Sequence, residues 1–510
     1  MTEHLVNLKA GEGIRPDAAR LIRTRPGWKG NPNATEAGVP GVAFNWLEVE
    51  GPLHETWPPP SYQALFDALP FQISDDSQID VLSEAPATDA KRLLWRFLQR
   101  ASHRRLTDPS EAAPYLAIFH RAKDLGESFT GAMIAAYSAI LCSTDTLYLE
   151  SQPGPLSDQE LALRLAYFLW NGPPDKRLER QTALHQNNNL QSQAERMLND
   201  PRSDRFTHAF LDCWLDLRDI KLNAPDASLY TDYYLDELLT ESALRETRLF
   251  FRELIDHNVP VRNLIDSDFT FLNERLAQHY GLPDVSGVDL QRVTLPEDSV
   301  RGGLLTQASV LTVTANGTTT SPVLRGVWIA ERILGIEISP PPSGLKAIEP
   351  DTRGATTIRE QIELHKQSPS CSTCHIKIDP AGFALESFDV MGGWREHYRA
   401  VDEAIEPISG FGKNGHAFAF HSAQPVDSSG TLMERGAFAD IAEFKTLLLQ
   451  DDRAIARNLV KQLIVYGTGA PVSFADRKEV EQILDRTEDT EFGVRSLILE
   501  VVQSTLFKTK

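Results

Sequence analysis

The stretch CSTCHIKIDPAGFALESFD, residues 371–389, holds two of the four cysteines in this chain of 510 residues. Cys371 and Cys374 are three residues apart, about one helical turn, so a helix places both sulfur atoms at the same edge of a bound group. C-x-x-C-H is the pattern at which haem c is attached through thioethers, with the histidine as proximal iron ligand. The spacing therefore predicts covalent haem at Cys371 and Cys374, with iron bound by His375.

Three alternatives remain open for this motif. A structural zinc site needs four ligands, and because Cys142 and Cys213 are single and distant, histidines such as His365 or His397 would have to complete it. A thioredoxin-like redox pair stands in a βαβ context, which this sequence lacks. The pattern can also occur by chance within an ordinary helix.

The sixth iron ligand would decide the chemistry of such a haem. A methionine or histidine in that position favours electron transfer, whereas an open position allows peroxide or small-ligand chemistry. The sequence leaves the choice uncertain among four residues, each of which is individually more typical of an ordinary structural position: Met391, His365, His397 and His279. Arg301 and Arg325 are candidates to pair with haem propionates, although ordinary salt bridges are equally compatible with the sequence.

Two local features predict how the chain leaves the motif. Asp379 and Pro380 predict the end of a short helix, because the residue before a proline is disfavoured in helical conformation. Gly382 predicts a close approach of another part of the backbone, since it carries no side chain.

The amino-acid composition limits the classes of protein and partner that fit this sequence. With 51 basic and 71 acidic side chains the net charge is −20, which makes nucleic acid a poor partner and tolerates a basic partner such as a small redox protein. No run of about 18 apolar residues is present, so no transmembrane segment is expected.

Cys142 and Cys213 stand in apolar helical stretches, which predicts buried thiols rather than a disulfide.

Apolar residues recur at helical spacing along most of the chain from Asp89 onward, which predicts a mainly α protein with a helical bundle over 89–280. Capping signals predict helix starts near 109 and 157. Before residue 86 the run VAFNWLEVEGPL, residues 42–53, predicts a short β-containing N-terminal remnant. Residues 339–350 are rich in proline and predict a linker, and residues 400–435 are expected to be irregular.

Motifs on both sides of C-x-x-C-H resemble those of one protein family, in the same order. They include LSDQELALRLAYFLWNGPPD at 156–175, RGGLLTQASVLTVTANGTTTSPVLRGVWIAERILG at 301–335, CSTCHIKIDPAGFALESFDVMGGWRE at 371–396 and FKTLLLQDDRAIARNLVKQLIVYGTG at 444–469. Together they are similar to the planctomycete cytochrome-C-type multi-module family, which carries domains of unknown function 1595, 1592, 1588 and 1585 in series. The resemblance covers roughly residues 45–510.

The resemblance implies a domain layout. Residues 1–85 are expected to be the remnant of a β-rich domain or a linker, followed by helical modules at 86–152 (1595) and 153–282 (1592), a small cytochrome c-like helical module with C-x-x-C-H at 296–398 (1588) and a C-terminal helical module at 420–508 (1585). Longer members of the family begin with a signal peptide. The resemblance therefore implies an N-terminally truncated member that acts in the periplasm or at the cell surface, where haem c is attached.

Three functions remain open from the sequence. The first is an exported c-type haem protein that transfers electrons to or from a redox partner protein. The second is a haem enzyme of peroxidase or oxidase type in the same compartment. The third is a non-haem protein of a surface complex, in which the C-x-x-C forms a disulfide or holds a metal. The oligomeric state and any substrate are not indicated.

Overall fold

A computed structural model describes residues 58–73, 79–102, 108–149, 152–186, 188–222, 224–282, 284–339, 357–365, 369–401, 407–414, 416–433 and 435–510. The protein is 55% helical and 11% strand, which confirms the prediction of a mainly α fold. The described residues form two compact units, one within 58–167, 172–184 and 509–510, the other within 168–171 and 185–508. The strand-like run at 42–53 and nearly all of the proline-rich stretch 339–350 lie outside the described residues.

The smaller unit is built from short helices around one apolar core. The core joins Leu94 and Leu98 with Met133 and Ala136, residues spaced at one helical turn on two different helices. Its antiparallel hairpin pairs Phe71–Ile73 with Ile79–Val81. Its helices are Pro60–Phe66, Pro86–Ala101, Ala113–Asp124, Phe129–Leu141, Thr144–Leu147, Lys176–Glu179 and the first part of Asp158–Trp170.

The larger unit contains the helices Asn189–Leu198, Asp204–Trp214, Glu237–Asp256, Glu274–Tyr280, Ala308–Val313, Pro322–Trp328, Ile358–His365, Pro369–Phe383, Ile441–Leu448, Asp452–Thr468, Arg477–Thr487, Val494–Gln503 and Thr505–Lys508. Its small antiparallel sheets pair Phe269–Leu272 with Gln291–Thr294, Gly430–Leu432 with Gly436–Phe438, and Ala417–Pro425 with both His397–Ala400 and Ile408–Phe411. All of these small sheets are antiparallel.

The predicted helix start near 157 is confirmed by a complete capping box. The backbone N–H and the hydroxyl of Ser157 donate to Glu160 Oε2 at 2.8 and 2.7 Å, and the Glu160 N–H donates to Ser157 Oγ at 3.3 Å. The helix then ends at Trp170, before Asn171 with φ 43°. Near 109 the cap is formed by Asp108, but the chain first makes a 3₁₀ turn, Pro109–Ala112, before the α-helix Ala113–Asp124.

The long helix Glu237–Asp256 places a carboxyl group inside the larger unit. Its buried face carries Phe250 and Leu254 together with Glu246, whose side chain is fully buried. The hydroxyls of Thr270 and Tyr280 each donate to this carboxyl group at 2.6 Å. Burial raises the pKa of Glu246 from 4.5 to about 7, because the two hydrogen bonds only partly replace the lost water.

The motif helix (Pro369–Phe383) is fixed by a very close crossing with the crossing helix (Pro322–Trp328). A Cβ atom at Gly326 would overlap the carbonyl oxygen of Ile378, and one at Gly382 would overlap that of Pro322. The helices therefore run antiparallel with their backbones in contact at two points one turn apart. The close approach predicted for Gly382 is confirmed.

The prediction that Asp379 and Pro380 end the helix is wrong. The motif helix continues through Pro380 to Phe383. Proline removes one intrahelical hydrogen bond and crowds the preceding turn. Contacts of Ile378 and Gly382 with the crossing helix, on either side of Pro380, hold the segment helical in spite of that local cost.

Two further expectations are corrected. Within 400–435 the structure has strands where irregular chain was expected, notably Ala417–Pro425 at the centre of a three-stranded sheet. Cys142 and Cys213 are free thiols as expected, but both are exposed rather than buried. Cys142 caps the end of its helix, and Cys213 lies away from the buried face of the helix Asp204–Trp214 and accepts a hydrogen bond from Arg218 at 2.8 Å.

We expect the substitution Gly382→Ala to destabilise the protein, although alanine is the better helix former by about 1 kcal/mol. The added methyl group would meet the Pro322 carbonyl, and overpacking of this kind costs about 1–3 kcal/mol or more. Chemical denaturation measures the free energy of unfolding. Lys377→Ala, at an exposed site of the same helix, is the matched control and should change stability little. A gain in stability in Gly382→Ala would contradict the close crossing.

We expect Glu246→Gln to change how stability depends on pH. The unfolded carboxyl group loses its proton near pH 4.5, whereas the folded one keeps it to about 7. The free energy of unfolding therefore falls as pH rises through this range, by up to about 3 kcal/mol. Glutamine cannot titrate, so denaturation at pH 5 and pH 8 should show a flatter profile in the variant. Glu241→Gln, on the exposed side of the same helix, should keep the wild-type slope, and equal slopes in all three proteins would refute the assignment.

Candidate functional site

The motif helix carries Cys371 and Cys374 one turn apart, with His375 directly after Cys374. The His375 side chain is almost buried, with 9% of the residue exposed. Its Nδ1 lies 2.8 Å from Oδ1 of Asp379, which stands one turn further along the same helix and is 1% exposed. The i,i+4 spacing brings the imidazole and the carboxylate together on the face of the helix that meets the crossing helix.

This contact determines which ring nitrogen of His375 can bind a metal. A carboxylate only accepts hydrogen bonds, so the Nδ1–H group donates to Asp379, and in the neutral imidazole Nε2 carries the lone pair. Metal-bound histidines commonly donate their second N–H to a carboxylate in this way. Together with the two cysteines at one-turn spacing, the donor set fits a covalently attached haem with His375 as axial ligand.

Two of the predicted distal candidates contact each other. His279 lies in the helix Glu274–Tyr280, and its Nε2 is 2.8 Å from the backbone oxygen of Met391. The Met391 side chain is 2% exposed, and its sulfur accepts a weak hydrogen bond from Thr312 at 3.8 Å. His397 is exposed at the start of its strand, and His365 is the last residue of the helix Ile358–His365. A distal role for any of the four stays a prediction.

The turn Asp389–Gly393 follows the motif helix and is held by a buried carboxylate. Oδ1 of Asp389 accepts from the backbone N–H groups of Met391 and Gly393 at 2.9 and 2.8 Å. The Tyr233 hydroxyl also bonds to this carboxylate, and burial raises the pKa of Tyr233 well above its ordinary value, which keeps the hydroxyl protonated. The turn is therefore fixed by a buried carboxylate that accepts hydrogen bonds from two backbone N–H groups and a tyrosine hydroxyl.

Arg325 and Arg301 donate to backbone carbonyls of the same region. The fully buried Arg325 donates to the carbonyl oxygens of Leu385, Phe388 and Asp389 at 2.6, 2.9 and 3.0 Å. Burial lowers the pKa of Arg325 to about 10, so it remains charged at neutral pH. The terminal nitrogens of Arg301 donate to the carbonyls of Thr306 and Gly392, each at 2.8 Å. In this structure both arginines therefore donate hydrogen bonds to backbone carbonyl groups of the protein.

Glu386 provides the counter-charge for this arginine network. Its side chain is fully buried, with Oε1 3.4 Å from Arg325 and Oε2 3.2 Å from Arg395. The hydroxyls of Thr320 and Tyr398 also donate to Oε2, at 2.8 and 2.9 Å. With two guanidinium groups and two hydroxyls around one carboxylate, the cluster is a hydrogen-bonded anchor for the segment that leaves the motif helix.

Two further observations bear on ligand binding. Within the described ranges, no set of three or more His, Cys, Asp or Glu side chains is arranged to hold a metal ion. A small pocket opens beside the start of the crossing helix, and it is lined by Asn316, Thr319, Thr320, Ser321, Pro322, Val323, Ile358 and Ile362. Its polar wall consists of hydroxyl and amide groups and includes no titratable side chain.

Asp379 is the site residue that the sequence analysis missed. It was assigned only to the end of a helix, together with Pro380. A signal was present, because an acid four residues after a histidine lies on the same face if the helix continues. Because Pro380 was expected to end the helix, His375 and Asp379 were not predicted to share one helix face.

Models of three protein families match the chain, each described as a protein of unknown function: DUF1592 at 156–282, DUF1588 at 301–398 and DUF1585 at 435–507. The chain carries these three modules in series. By name they belong to the planctomycete cytochrome-c-type multi-module family. No curated protein and no solved structure matches the chain.

The matches assign the site to one module. Cys371, Cys374, His375 and Asp379 all lie in the DUF1588 module, whereas His279 lies in the DUF1592 module. The resemblance of residues 86–152 to domain 1595 stays a prediction. No helix in the described part of the chain is both long and apolar enough to cross a membrane.

We expect His279→Gln to reduce the loss of stability in acid. Burial lowers the pKa of His279 from 6.5 to about 4, so the unfolded state takes up a proton first as pH falls through this range. The free energy of unfolding then decreases, and because the side chain keeps some exposure we expect about 1–2 kcal/mol. Glutamine keeps a donor for the Met391 carbonyl without titrating.

Denaturation midpoints at pH 4.5 and pH 7 test this effect. His257→Gln removes a histidine whose side chain is 68% exposed and serves as the control. A variant His279→Gln that loses as much stability in acid as the control would show that His279 is not held neutral.

Proposed function

We propose that the DUF1588 module is a c-type haem module that transfers electrons in a periplasmic or cell-surface redox system. The observation that carries the proposal is the His375–Asp379 contact at 2.8 Å within the C-x-x-C-H helix. Any buried histidine needs an acceptor for its ring N–H, and a carboxylate in that role also fixes the tautomer that an iron ligand requires. The cytochrome-c-type name of the matching modules supports the same assignment.

In this proposal each residue has a defined task. Cys371 and Cys374 would hold the haem through two thioether bonds, and Nε2 of His375 would bind its iron. When bound, the haem would supply a one-electron donor and acceptor at its iron. The crossing helix and the turn Asp389–Gly393 hold the motif helix in place, so little rearrangement accompanies a change of charge at the site.

The net charge of −20 indicates the kind of redox partner. A basic electron-transfer protein would be attracted to the chain over several ångströms, and salt would weaken that attraction. The second function, a haem enzyme of peroxidase or oxidase type, shares the same attachment site and differs in an open sixth position. Peroxide turnover, or binding of carbon monoxide without loss of a protein ligand, would favour the enzyme.

Expression with a fused signal peptide, in cells that contain the haem-attachment machinery, tests the proposal. We expect a c-type visible spectrum, and haem that stays with the polypeptide on a denaturing gel and through acid–acetone extraction. The variant Cys371→Ala/Cys374→Ala should lose covalent haem completely, because no thioether can form.

The double variant Cys142→Ala/Cys213→Ala is the matched control, since it removes the two cysteines outside the motif. It should keep the full haem content. Exported wild-type protein that folds but carries no covalent haem would refute the haem proposal. Metal analysis and thiol titration of that protein would then test the metal or disulfide alternative.

A further inference from the structure

Helix formation alone does not require a buried carboxylate at Asp379. It is 1% exposed and lies 2.8 Å from Nδ1 of His375. Burying an acidic group costs free energy unless hydrogen bonds or charges compensate it. The ring N–H of His375 contributes to that compensation, so the two side chains form a hydrogen-bonded pair.

We infer that Asp379 is a positioning residue that orients His375 and tunes the reduction potential of the haem. This inference rests on the proposed function. A carboxylate that accepts the Nδ1 proton fixes the ring plane and makes Nε2 a stronger electron donor than a neutral acceptor does. The stronger donor, together with the nearby negative charge, stabilises ferric over ferrous iron and lowers the potential.

The backbone around Asp379 is held so that the carboxylate cannot move away. Ile378, just before it, contacts the crossing helix at Gly326, and Gly382, one turn later, contacts it at Pro322. Pro380 follows directly and restricts the chain between these two contacts. The carboxylate is therefore fixed relative to the His375 ring by contacts outside the pair, which is the support that a tuned site requires.

Redox titration of the haem-loaded full chain tests the inference. Asp379→Asn keeps the shape and an acceptor oxygen but removes the charge, so the midpoint potential should rise. Each tenfold loss of preference for ferric iron corresponds to a rise of 59 mV in a one-electron couple. Asp379→Glu restores the charge and should return the potential towards the wild-type value.

The control Glu396→Gln removes one negative charge from an exposed position in the same module and should leave the potential close to that of the wild type. Denaturation of the same proteins separates tuning from a merely structural role, because a structural role changes stability and leaves the potential of the folded protein unchanged.

The outcomes separate this inference from the function on which it rests. Wild-type protein without covalent haem overturns both. Haem-loaded Asp379→Asn with the same potential as Glu396→Gln overturns the role of Asp379 and leaves the haem module intact. A higher potential in Asp379→Asn that Asp379→Glu reverses supports the inference.

Discussion

The contact between the motif helix and the crossing helix is the constraint on which the rest of the site depends. At Gly326 and Gly382 the two backbones approach so closely that a single methyl group has no room. Side chains normally keep helix axes about 8–10 Å apart, so a pair of glycines is needed for a closer crossing. This crossing keeps the segment around Pro380 helical and brings Asp379 onto the face of His375.

The segment that leaves the motif helix is held by charged hydrogen bonds as well as by apolar packing. Arg325 satisfies three backbone carbonyls at once, and Glu386 lies between two guanidinium groups. Such clusters stabilise a protein only when nearly every group is paired, and here hydroxyls from Thr320 and Tyr398 complete the set. A network of this kind specifies one arrangement of the turn Asp389–Gly393 more strictly than an apolar core would.

Structural features that depend on neighbouring residues were predicted correctly from the sequence. Several predictions were wrong where contacts with other parts of the fold determine the structure. The capping box of Ser157 and Glu160 is local, and it was predicted correctly together with the mainly α fold. The helix through Pro380 was missed because residues of another helix hold it. The strand Ala417–Pro425 was missed although both of its partner strands come shortly before it in the chain, because the segment is rich in glycine, histidine and serine. Exposure of Cys213 depends on which helix face packs inward, which its apolar neighbours alone do not reveal.

The burial of His375 has a consequence for the order of events during biogenesis. In the folded protein only 9% of this residue is exposed, and the crossing helix packs against the same face of the motif helix. If haem is attached at this motif as proposed, the attachment would have to precede the docking of the two helices, because His375 is buried once they pack. Docking of the crossing helix would then cover His375 only after the segment had been modified.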